Sequence, residues 1–143
     1  MFIMEFDINL WVVLGAGVAA YAVGALWYSL LFQKVWMREM GYTPETMGSM
    51  KMTARRAMTL GFLNTLVMSY VMAHFVAVWA QLLGSVSVRE GLELAFFLWT
   101  GFVLPLTMGV VLWENKSWTL FLINTSHYLT AMLLMGGILA YFS

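Results

Sequence analysis

Four stretches of about twenty predominantly apolar residues, at about 9–32, 57–83, 92–113 and 117–142, take up almost the whole of this 143-residue chain. A helix needs about 20 such residues to cross the hydrocarbon core of a bilayer. Each stretch is therefore read as a transmembrane helix, and the bilayer as the solvent of a single membrane domain spanning 1–143. Composition agrees, with 62% hydrophobic and 10% charged residues. Soluble domains run about 45–50% apolar and about 25% charged, and this chain lacks the polar surface they need. The expected fold is all-α: an integral membrane four-helix up-and-down bundle.

The seven Lys and Arg are balanced by seven Asp and Glu. No basic surface dense enough to neutralise phosphates follows, so nucleic acid is excluded as a partner. The chain has no cysteine, which removes thiolate metal sites and a Cys nucleophile. Glu5 and Asp7 precede the first span where a cleaved signal peptide would carry basic residues, so that span is expected to stay in the mature protein. Six of the seven basic residues (Lys34, Arg38, Lys51, Arg55, Arg56 and Lys116) fall in the connections after spans one and three. The positive-inside rule puts those connections in the cytoplasm and both termini on the other side, with Glu5, Asp7, Glu90 and Glu93 gathered there.

The one long connection, about 33–56, contains Thr43-Pro44-Glu45: an N-cap, Pro at N1 and an acid in the first turn. A short interfacial helix over about 44–50 follows, with methionines at 37, 40, 47, 50, 52 and 58 on an apolar side. Thioethers suit copper(I), but without cysteine or a nearby histidine the stretch reads as a membrane-hugging connector. No metal and no cofactor is expected.

Small residues four apart mark helix contact faces in lipid. Span one has Ala16, Ala20 and Gly24, span two has Ser69, Ala73 and Ala77, and span three has Gly101 and Gly109 with Pro105 between them. Pro105 should bend span three. Trp11, Trp79, Tyr141, Trp36, Trp113 and Trp118 fit the interfacial belts. Trp27 and Trp99 lie deeper and need partners for their indole N–H groups. A short internal similarity pairs Gly61-Phe62-Leu63-Asn64-Thr65 with Phe121-Leu122-Ile123-Asn124-Thr125, and Leu26-Trp27 with Leu112-Trp113.

The polar residues inside the spans carry the functional expectation. Asn64 and Asn124 each sit about seven residues into a helix entering from the cytoplasmic side, at a depth of roughly 10 Å, and could meet directly or through water. His127 is one turn beyond Asn124, while Tyr28, Ser29, Thr107 and Glu114 reach the same half of the membrane from spans one and three. His74, with Tyr70 and Gln81, belongs to the other half, and two separated histidines make a poor metal site. Helix-to-helix hydrogen bonding is the commoner use of such residues. The alternative is a ligand pocket or proton relay around His127, lined by Asn64, Trp99, Asn124, Tyr28 and Glu114. No nucleophile–base pair or phosphate loop is present, which argues against an enzyme.

Leu26-Trp27-Tyr28-Ser29-Leu30-Leu31-Phe32 with Lys34 and Trp36-Met37, then Trp99-x-Gly101-Phe102-x-x-Pro105, then Leu112-Trp113-Glu114-x-Lys116 and Leu120-Phe121-x-Ile123-Asn124, resemble the bacterial family called domain of unknown function 1761. The resemblance runs nearly the length of the chain. It implies a short four-span membrane protein and no particular activity. Where the family often has Pro after the Ser, this chain has Leu30, so no helix break is carried over. Where the family often has Tyr-His, this chain has His127-Tyr128, so the orientation of the histidine is not carried over.

The expected function is binding or transport of a small or lipid-like ligand by a self-associating protein of the bacterial inner membrane. The other classes considered are an accessory subunit of a larger membrane complex, and an enzyme acting on a lipid or quinone through His127 and Glu114.

Overall fold

A computed structural model describes residues 6–143, and every regular element in that range is helical. Glu5 lies outside the described residues. In chain order the helices are α1 (Leu10–Leu26), α2 (Gln33–Met40), α3 (Pro44–Gly48), α4 (Ala54–Leu83), α5 (Val88–Leu98), α6 (Leu104–Leu112) and α7 (Trp118–Tyr141). π-helical segments extend α1 through Trp27–Leu31 and join α5 to α6 through Trp99–Val103. Four continuous helices result, Leu10–Leu31, Ala54–Leu83, Val88–Leu112 and Trp118–Tyr141, each long and apolar enough to cross a membrane.

Spans two and three begin three and four residues earlier than hydropathy indicates, because side chains cap them in polar sequence. Thr53 Oγ1 accepts from Arg56 N, and Ser87 forms a capping box with Glu90. The short helix expected in the long connection is present as α3, with Thr43 and Thr46 exchanging the box hydrogen bonds, and it ends two residues short of expectation. α2 is an addition to the elements expected from the sequence. Its signal is Gly41, left-handed at φ 72°, where Gly41 N donates to Arg38 O and Tyr42 N to Met37 O.

The helices do not form a square bundle. α7 is central, flanked by α1 and α5, while α4 leans mainly on α1 and scarcely touches α5. The small-residue series in spans one and two are used inside the chain. Ala16, Ala20, Ser69 and Ala73 are buried, and Ser69 Oγ donates to Val13 O at 2.8 Å. The series in span three is not: Gly101 is exposed, with nothing within 4 Å of where a Cβ would sit. The working contact comes instead from Gly91 and Ala95 against Gly136 and Ala140, where α5 and α7 approach backbone to backbone. Gly101 fails to pack because it belongs to the π-helical segment and the turn it widens faces outward.

Candidate functional site

Both π-helical segments start at a tryptophan and have a hydroxyl side chain just after it. Ser29 Oγ donates back to Ala25 O and Thr100 Oγ1 to Phe96 O, drawing on carbonyls of the preceding turn. The turn then closes by longer bonds, Phe32 N to Trp27 O and Leu104 N to Trp99 O. In span three Pro105, with no N–H of its own, follows directly. Span one widens in the same way without a proline. The Leu-Trp pair equivalent to Leu26-Trp27 is thus Leu98-Trp99, a correction of the Leu112-Trp113 pairing. Trp113 stands 86% exposed past the end of α6.

The two deep indoles find the partners they require. Trp27 Nε1 donates to Ile123 O at 3.0 Å and Trp99 Nε1 to Thr125 O at 2.9 Å. Two residues of helix turn through about 200°, so the indoles hold α7 from opposite sides, with Asn124 between them. Next to Trp27, Tyr28 OH donates to Asn124 Oδ1 at 2.8 Å. One turn on, the His127 ring lies edge-on to Tyr28, with centroids 5.1 Å apart, and near Trp27 and Tyr128. Gly24 makes room for it, since a Cβ there would come within 2.9 Å of His127 Nε2.

His127 Nδ1 is buried and has no hydrogen-bond partner in the described chain. His74 shows why. Its Nδ1–H donates to Tyr70 O, the carbonyl four residues back on its own helix, at 2.8 Å. The corresponding carbonyl for His127 is Ile123 O, which faces the Trp27 indole. One tryptophan therefore satisfies itself and leaves the histidine nitrogen open.

Toward the basic end, rings continue from Tyr28 to Trp36 of α2, centroids 5.9 Å apart, and on to Tyr42 at 5.4 Å. There Glu39 ties α2 to the start of α7. Ser117 Oγ donates to Glu39 Oε2, and Arg38 Nε and Nη2 donate to Oε1 at 3.2 and 3.1 Å. The Ser117 hydroxyl first, and the Arg38 guanidinium second, hold the Glu39 carboxyl below the usual carboxylate range.

Of the residues expected to line one site, the structure brings together Tyr28, Asn124 and His127. Trp99 reaches the same helix from its far side. Asn64 does not join them. It is exposed on α4, because Ser69, which sets the buried face, lies five residues on and about 140° round the helix. Glu114 does not join either: α6 ends at Leu112, and Glu114 falls exposed in the turn before Asn115, which is left-handed at φ 54°. The acid that bonds the start of α7 is Glu39, which has no place among the residues read from the sequence because its helix α2 was not expected. Among the described residues no three His, Asp or Glu converge as metal ligands would.

Four long apolar helices, deep indoles bonded to backbone and tryptophans at the ends define a small integral membrane protein. The chain belongs to the family described as Protein of unknown function (DUF1761), whose model matches residues 11–140. No curated protein and no solved structure matches it.

Proposed function

We propose that this is a bacterial inner-membrane protein that binds, and in doing so carries or presents, a small or lipid-like ligand at the Tyr28–Asn124–His127 cluster, with the basic end in the cytoplasm and more than one copy in the assembly. The observation that supports this reading is the unpartnered, buried His127 Nδ1. A buried polar atom without a partner is costly in a protein interior and more so in lipid. A histidine serving only to bond neighbouring helices would have a partner there, and His74, by contrast, has its Nδ1 satisfied by Tyr70 O of its own helix. A ligand or water reaching the cluster gains that hydrogen bond, while the Tyr28 and Trp36 rings supply flat apolar contact toward the membrane boundary.

The test is native mass spectrometry of protein released from mild detergent, comparing the native chain with Asn124→Ala and His127→Ala. The expected result is a defined extra mass on the native protein, lost from both variants. Folded variants that keep the same mass would refute the site. A bare particle, or one locked to a different protein, would transfer the weight to an accessory-subunit role.

A further inference from the structure

Of Asn64 and Asn124, Asn64 is the one left on the outside of the bundle: it is exposed, and no group among the described residues bonds its side chain. It lies eight residues, about 12 Å, beyond Arg56. With Arg56 at the aqueous edge, a headgroup layer accounts for about 5–8 Å of that distance and the Asn64 backbone falls about 4–7 Å inside the hydrocarbon, deeper than its short side chain extends. Asn64 also shares a line along α4 with Met68, Val71 and Phe75, at spacings of four, seven and eleven residues. Met68, Val71 and Phe75 of that line form one wall of an open apolar groove of about 390 Å³, with Leu98 and Phe102 across it, and Asn64 lies one turn before them along α4. The groove exists because α4 leans on α1 and leaves α5 almost untouched.

We propose that this groove is where a second copy of the chain docks, with the two Asn64 side chains hydrogen-bonded to each other. Acyl chains can fill the groove but cannot bond a carboxamide. A carboxamide is both donor and acceptor, so it complements itself. A two-fold axis along the membrane normal puts the partner's equivalent side chain at the same depth without any further requirement. The phenyl rings of Phe75 and Phe102, 43% and 66% exposed, then pack across the dimer. The inference gives the self-association proposed above a particular face, and it is independent of any ligand at His127.

The native chain has no cysteine, so single substitutions report disulfide trapping cleanly. Asn64→Cys and Val71→Cys, oxidised in membranes with copper–phenanthroline, are expected to form homodimer bands. Leu63→Cys, at the same depth but turned about 100° away, is expected to form little. Adding Asn64→Leu to Val71→Cys should weaken the dimer about 3- to 30-fold, the range of an interhelical polar contact in lipid. Trapping at Leu63 as strong as at Asn64, or a Val71→Cys dimer indifferent to Asn64→Leu, overturns the inference. A dimer by native mass spectrometry without trapping at 64 or 71 would place the interface elsewhere. A monomer would remove self-association as well.

Discussion

Replacing Gly136 by Ala tests the packing that positions α7. A Cβ added there would meet Gly91 O at 2.5 Å and the Ala95 Cβ at 2.8 Å, whereas ordinary contact begins at 3.4 Å. The first obstacle is backbone and cannot rotate away, so α5 and α7 must separate locally by about 0.9 Å. A gap of that size forfeits a quarter to a half of each dispersion contact across the seam. Overpacking of this kind costs about 1–3 kcal/mol, and the rigid obstacle places this case toward the upper end. The neighbouring Gly137→Ala is the control, because its Cβ would meet Leu92 Cδ2 at an ordinary 3.5 Å. That variant should be neutral or gain up to about 1 kcal/mol from helix propensity. Reversible unfolding in mixed micelles, followed by tryptophan fluorescence, measures both. Equal stability of the two alanine variants would refute the reasoning.

Two further outcomes are expected. Trp27→Phe frees Ile123 O, so His127 Nδ1–H should turn to it as His74 does to Tyr70; in protein labelled with ¹⁵N at its two histidines, an unchanged His127 ring spectrum would count against the competition described for that carbonyl. The Glu39 carboxyl lies below its usual range in the folded protein, so the contact of α2 with α7 is present above the ordinary carboxylate pKa and is lost as pH falls through the lowered value. Trp36 quenching by an aqueous quencher should therefore rise only below the ordinary glutamate pKa of about 4.3. In Glu39→Gln that acid-dependent rise should disappear, and a rise unaltered by the substitution would detach Glu39 from the contact.

The elements that could be read along the chain are those whose causes are local. Span number follows from the length of apolar runs, and the start of α3 from Thr43 and Pro44. The need of Trp27 and Trp99 for acceptors follows from indole chemistry, and both have them. Local signals that went unread were also there: Gly41 closing α2, and the Ser29 and Thr100 hydroxyls that open the π-helical turns.

Asn64 and Asn124 mark the boundary of that legibility. Each follows two apolar residues and precedes a threonine, at similar depth in a similar helix. One is bonded to Tyr28 beside His127, and the other faces outward. In water, hydrophobicity separates the inner from the outer face of a helix. In a bilayer the lipid is as apolar as the core, so side chains along a span carry no such mark. The sequence alone determined how many helices cross the membrane and which polar residues each one carries. Which of those residues meet was decided by tertiary packing, through the close approach of α7 to α1 and α5 at Gly24, Gly91 and Gly136.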